Sequence, residues 1–374
     1  MVENRPFFVS SFPRHDFIVY LVDMDQRPTS STLRRAAKRR PAKERLAEFH
    51  SCFHSKDSVL IIIDPDPDAI GSALAVKRLL WHRVQSATIG MIRPIKRLNN
   101  ITMARLLKLP LVLMRRVPSE PFTKCVLVDG QPNHNDFFRQ LSYTAVIDHH
   151  PLHETFASLF SDVRPEYGST SSIMTEYLKA ARIKPSKTLA TALLYGIKTD
   201  TRSFERHTIV EDIEAFRYLF PLADHNILRK VEISDLSLKD LKVFDKAFER
   251  KYIIKDRLFA HLDEVPSADI LVELAEFFLK IHDISWSIVS GIYDDNLIVI
   301  IRNDGYRKDA GKVIRKAFDS LGTAGGHSAM ARAEVPLERL KEVIEKRTSA
   351  TIENFVRKQL SPFAAGKSQK RGVT

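Results

Sequence analysis

Residues 59–80 read VLIIIDPDPDAIGSALAVKRLL, and the order of features in this stretch decides the fold. Val59–Ile63 is an apolar, β-branched run without polar alternation, as expected of a strand buried on both faces. It stops abruptly at Asp64, Asp66 and Asp68, which are separated by Pro65 and Pro67. Alternating carboxylates can share one side of an extended loop, an arrangement that a divalent cation rewards, and the prolines stiffen that loop. A solvated acidic turn is the other reading of the loop taken alone. Gly71 and Ser72 then open a helix over Ala69–Val84, with Ala73, Val76, Leu79, Leu80 and Val84 at helical spacing. Free N–H groups at such a helix start suit an anion.

The same design recurs outward from this stretch. Val126–Val128 delivers Asp129, and Ala145–Ile147 delivers Asp148-His149-His150. Thr170–Ala181 and Lys187–Gly196 have helical patterns, and the second runs on into Ile197-Lys198-Thr199-Asp200-Thr201, ahead of Phe204. A lone Asp after a strand usually caps a helix or a turn. Several in sequence around one cleft would repel one another, and cations resolve that repulsion. Strands alternating with helices predict a mostly parallel sheet covered on both faces, with ligands beyond the strands' carboxyl ends. Upstream, Phe17–Val22 reads as a strand and Pro41–Phe53 as a helix. Past residue 222, Leu236–Phe248 reads as a linking helix. Phe259–Leu262, Ser287–Tyr293 and Leu297–Arg302 read as strands, and Asp309–Leu321 and Leu337–Arg347 as helices. The expected class is α/β in two domains. The N-terminal one has a mostly parallel sheet covered by helices, and the smaller C-terminal one a mixed sheet. The expected boundaries are an N-terminal strand and basic segment over 1–50, a first domain over 51–222, a helical linker over 223–248, a second domain over 249–350 and a basic tail over 351–374.

A length of 374 residues fits two domains at about 150 residues each. A hydrophobic fraction of 44 % excludes general disorder. No run approaches the roughly 18 apolar residues of a membrane span, and the start lacks the pattern of a signal peptide. Cys52 and Cys125 have no metal-site spacing and read as buried thiols of a reducing cytoplasm. The net charge of +12 is concentrated. Residues 27–45 carry eight Arg or Lys against Glu44 alone, and residues 357–374 carry five and no acid. These flanks suit salt-sensitive contact with nucleic acid through 27–45 and 357–371, or serve as solvated ends that aid solubility. Residues 46–356 are close to neutral.

The four ordered motifs from Asp64 to Phe204 resemble the DHH phosphoesterase superfamily, named for the triplet found at Asp148-His149-His150. Gly325-Gly326-His327-Ser328-Ala329 is similar to the glycine-rich motif of the associated DHHA1 domain. The branch resembled most is that of bacterial nanoRNases and 3′-phosphoadenosine-phosphate phosphatases. Linear and cyclic dinucleotide phosphodiesterases are similar in layout. The resemblance implies hydrolysis of phosphate esters in short oligonucleotides or nucleotides by a water held between two Mn²⁺ or Mg²⁺ ions. It implies Asp66, Asp68, Asp129, His149 and Asp200 as metal ligands, Asp148 as the group orienting a histidine, and His150 beside the substrate phosphate. Arg302, His327 and the backbone of Gly325 and Gly326 would grip the terminal phosphate or nucleotide. It also implies a homodimer through the first domain.

The pattern is broken in places. Ile62 stands where that branch has a metal-ligating His, so one ion could be lost unless Asp64 supplies the missing ligand. Ala324 replaces a third glycine, Arg332 stands where Gly is usual, and the segment Asp129-Gly130-Gln131 lacks the usual hydroxyl after its Asp. The alternative reading is therefore a degenerate member that binds nucleotide or nucleic acid for regulation with little or no hydrolysis.

Overall fold

The computed structural model of the protein describes residues 41–116, 122–152, 154–305, 308–344 and 348–360. The strand expected at Phe17–Val22, most of the basic stretch 27–45 and the tail past 360 lie outside the described residues. The described residues start with α1 (Ala42–Ser51), β1 (Ser58–Ile63), α2 (Pro67–Leu79), β2 (Ser86–Met91), α3 (Leu98–Leu106), β3 (Leu111–Leu113) and β4 (Lys124–Val128). It continues with α4 (Asp136–Arg139), β5 (Tyr143–Asp148), β6 (Ser158–Val163), α5 (Thr170–Ala180), α6 (Lys187–Asp200), α7 (Val210–Leu219) and α8 (His225–Glu232). The six strands form one sheet in the order β3-β2-β1-β4-β5-β6, parallel at every pairing. The order reverses between β1 and β4, so a crevice opens beyond their carboxyl ends, where open α/β sheets bind ligands.

Side chains of a strand alternate between faces. Val59, Ile61 and Ile63 therefore join the core under α2, α5 and α6, while Leu60 and Ile62 pack on the opposite face with Leu127, Phe138 and Val146. β2, β3 and β6 escape sequence reading. Ser86–Met91 is half exposed at its start, Leu111–Leu113 is only three residues long, and Ser158–Val163 mixes polar with apolar positions.

The second unit comprises α9 (Leu241–Arg250), β7 (Tyr252–Ile254), β8 (Arg257–Glu264), α10 (Ala268–Leu279), β9 (Trp286–Tyr293) and β10 (Asn296–Asn303). It ends with α11 (Ala310–Phe318), β11 (Thr323–Gly326), β12 (Met330–Pro336), α12 (Leu337–Leu340) and α13 (Ser349–Leu360). Its sheet runs β11-β12-β10-β9-β8-β7 and is mixed, with β8 and β9 parallel and the other pairs antiparallel. Helices cover both faces, giving separate cores around Leu297 and Val299 and around Ile298 and Ile300.

Three sequence expectations are corrected. The linking helix starts at Leu241 rather than Leu236, because Ser237 N–H and Oγ both donate to Asp240 and fix a turn there. The helix expected over Leu337–Arg347 is short, ending at Leu340. The tail expected from 351 begins as α13, whose Ile352, Val356 and Leu360 are buried in the second core. Cys125 is buried, whereas Cys52 is only partly so, and both are free thiols.

Candidate metal and phosphate site

Each motif reaches the crevice on a short, well-anchored element. Asp66 caps α2 by accepting the Ala69 N–H at 2.9 Å. Asp68, in the first turn, is fully buried and accepts the N–H groups of Thr170 and Ser171, both at 2.7 Å. Asp129 ends β4 with φ +59, a left-handed conformation that Asp tolerates better than most residues. Its Oδ1 accepts the Thr170 hydroxyl at 2.7 Å. Thr170 thus supplies the hydroxyl that the sequence after Asp129 lacks. Asp200 ends α6, and Gly196 lets that helix close in: a Cβ there would lie 2.5 Å from Ser171 Oγ and 3.0 Å from Asp68 Cα.

The two histidines of the triplet have separate tasks. His149 Nδ1 lies 3.2 Å from the Tyr167 carbonyl, a contact made by an N–H at Nδ1. In the neutral ring that tautomer leaves the Nε2 lone pair open to an ion. Nε2 lies 3.1 Å from Asp200 Oδ2, 3.6 Å from Asp129 Oδ1 and 3.9 Å from Asp68 Oδ2, yet it is buried without a hydrogen-bond partner. His150 instead places Nδ1 2.8 Å from Asp148 Oδ1. Gln131, fully buried, donates to Asp148 Oδ2 at 2.7 Å and to the carbonyls of His150 and Pro151. Among the described residues, ligand atoms of Asp68, His149 and Asp200 lie within 4.8 Å of one another, as do those of Asp129, His149 and His150.

The electrostatics are those of a site built for cations. Burial, followed by the charges of Asp200 and Asp68, pushes the Asp66 carboxyl up. Burial and then Asp200 raise Asp68, and burial with the charges of Asp68, Asp66 and Asp200 raises Asp129 well above the carboxylate range. For His149 burial opposes the proton, but the carboxylates of Asp200 and Asp68 outweigh it and push the imidazole up to about 9. Asp148 differs: although burial works to raise it, the bonds from His150 and Gln131 hold it below its ordinary value. Carboxylate and imidazole donors converging on one point fit a divalent ion such as Mn²⁺ or Mg²⁺.

Asp64, the expected stand-in for the missing histidine, forms an ion pair with Arg93, and its charge still acts on Asp66. Ile62 points to the other face of the sheet into an apolar cluster, so the position is packed as core.

In the second unit, Arg302 ends β10 with its guanidinium 2.6 Å from Glu276 on α10. Gly325 has open space where a side chain would project. Gly326, at φ +147, packs so closely on β12 that a Cβ would lie 2.3 Å from the Met330 carbonyl oxygen. His327 donates its backbone N–H to Met330 at 2.7 Å and accepts from Gly311 at 2.9 Å. Arg332 pairs with Glu334 at 2.8 Å. Gln131, Thr170, Ser171 and the Tyr167 carbonyl were not among the sequence candidates. The Gly168-Ser169-Thr170-Ser171 run, a helix start rich in hydroxyls, is the signal that points to two of them.

Residues 58–197 match the DHH family, N-terminal domain. The chain is 33 % identical over 308 residues to the uncharacterized protein MJ1633 of Methanocaldococcus jannaschii, covering 81 % of this chain and 63 % of that one. It is 26 % identical over 314 residues to the cyclic-di-AMP phosphodiesterase PdeA of Listeria monocytogenes, covering 78 % of this chain and 46 % of that one. The chain thus spans about half to two-thirds of the length of these relatives. Its fold is similar to that of an exopolyphosphatase-related protein from Bacteroides fragilis, with a TM-score of 0.62 at 15 % identity over 86 % of this chain and 96 % of that one. Residues 58–197, which carry Asp66, Asp68, Asp129 and the Asp148-His149-His150 triplet, are thus a domain of the DHH family.

Proposed function

We propose that the protein is a divalent-metal-dependent phosphoesterase that hydrolyses short oligonucleotides, linear or cyclic dinucleotides, or 3′-phosphoadenosine phosphate. The observation carrying this reading is His149 Nε2, buried and ringed by the carboxylates of Asp68, Asp129 and Asp200. Asp66, Asp68, Asp129, His149 and Asp200 are the residues that would hold Mn²⁺ or Mg²⁺, two ions in the full site. A bound ion supplies Lewis acidity and a water of lowered pKa. Asp148 fixes His150 through Nδ1, and that bond is the leading cause that raises the His150 imidazole. His150 Nε2 is then a proton-bearing nitrogen suited to a phosphate oxygen. Arg302, His327 and the open strand at Gly325 and Gly326 would hold the rest of the substrate. The listerial phosphodiesterase supports a dinucleotide, and the free thiols Cys52 and Cys125 support a cytoplasmic setting.

The test is release of mononucleotide from labelled 2–5-mer RNA, pApA, cyclic di-AMP and 3′-phosphoadenosine phosphate with Mn²⁺. Turnover of at least one substrate is expected. Asp200→Ala should abolish it with an unchanged circular dichroism spectrum. Retained binding with no turnover of any substrate would support the non-hydrolysing alternative instead.

A further inference from the structure

Beyond the acidic cluster, the boundary between the two units carries a second charged group, of which the reaction as derived uses Arg302 alone. Arg202 and Arg206 follow Asp200 on a turn in which Arg202, Ser203 and Phe204 all have positive φ, at 49, 54 and 72°. Three successive non-glycine residues in this region are costly, and such strain persists where the surroundings fix it. The turn presents both arginines to the second unit. Arg206 Nη2 lies 3.7 Å from Met330 Sδ, a weak acceptor. Arg202 Nη2 lies 3.8 Å from Glu276 Oε1, the same oxygen that Arg302 Nη2 contacts at 2.6 Å. Arg302 is itself buried, and its Nε has no partner. The three guanidiniums feel one another: burial and then the charge of Arg202 hold Arg206 below the ordinary arginine value, and Arg302 is lowered by burial and by Arg202 and Arg206, with Glu276 opposing. Glu276, whose side chain is 44 % exposed, is the carboxylate that bridges two of them across the boundary.

We propose that Arg202 and Arg206 with Arg302 form an anion pocket shared by both units, and that Glu276 occupies it until a second phosphate of the substrate displaces its carboxylate. A guanidinium binds carboxylate and phosphate oxygens in the same fork geometry, so one can replace the other. The pocket selects esters that carry a phosphate besides the one cleaved. Glu276 is a specificity-determining residue, because it sets how tightly that extra phosphate is held. The proposal rests on the phosphoesterase reading for its substrate class, while its residues are tested by binding alone.

The experiment compares ApA with pApA, which differ by one terminal phosphate, using the full-length protein. Calorimetric titration with EDTA present gives the affinity ratio of the two ligands, and Mn²⁺-dependent initial rates give the two KM values. The wild type should prefer pApA. Glu276→Gln should tighten pApA about five-fold relative to ApA, and Arg202→Met or Arg206→Met should weaken that preference about ten-fold. An unchanged binding ratio in all three variants would overturn the pocket whether or not turnover occurs. Absence of turnover with an arginine-dependent binding ratio would overturn the hydrolase reading and leave the pocket standing.

Discussion

At the scale of single residues, the site is a problem of placing like charges together. Asp68 tolerates full burial because two backbone N–H groups from the start of α5 meet its two oxygens. Asp129 is likewise held by the Thr170 hydroxyl, so one helix start serves two acids. Asp64 is held differently: it lies in the same acidic run, but its carboxylate is paired with the guanidinium of Arg93. We therefore expect Asp64→Ala to change Mn²⁺ affinity less than about three-fold, whereas Asp68→Asn should weaken it by at least about ten-fold. Calorimetric titration of both variants with Mn²⁺ checks this, and a large loss in Asp64→Ala would return Asp64 to the ligand set. Legibility in the sequence followed the same line. Asp66, Asp68, Asp129, His149 and Asp200 stand at ends of elements whose apolar runs are visible in order. Gln131 and Thr170 were not legible, because their roles arise from contacts made 17 and 41 residues away in the chain.

At the scale of elements, strand alternation and helix packing decide which acids meet. β1 and β4 are neighbours at the point where the strand order reverses, so their loops open into one crevice. The α2–α6 approach then brings Asp200 to it, and Gly196 is the residue that permits that approach. Gly196→Ala should destabilise the protein by about 1–3 kcal/mol through overpacking and lower Mn²⁺ affinity as α6 is displaced. Thermal melts and metal titration of this variant read both effects, and wild-type values in each would show that the helices can relax around a methyl group. The sequence pattern located β1, β4, β5 and the helices α2, α5 and α6, whose burial is nearly complete. It missed β2, β3 and β6, whose residues are partly exposed and carry no clean period. The α13 helix was concealed differently: a basic, polar composition masks Ile352, Val356 and Leu360, which only the second core reveals as a buried face.

At the scale of the whole molecule, charge is divided by location. The positive excess lies in the flanking stretches, while the crevice is crowded with acids that repel anions until cations bind. If the basic stretch gathers polyanions, replacing Arg34, Arg35, Arg39 and Arg40 by Gln should flatten the salt dependence of short single-stranded RNA binding. The expected change in the log–log slope is at most about 3, at roughly 0.7 per phosphate contact. Fluorescence anisotropy between 50 and 200 mM salt checks this, and an unchanged slope would assign those residues to solubility alone. The sequence by itself determined the class of fold and the ordered delivery of acids to strand ends, because apolar periodicity and local chain direction are properties of short segments. Only the tertiary structure decided that Asp64 faces Arg93, that Asp148 serves His150 while Tyr167 serves His149, and that Glu276 bridges Arg202 and Arg302. Each of those pairings depends on which groups are close in space, and proximity between distant segments is fixed by packing rather than by any local pattern.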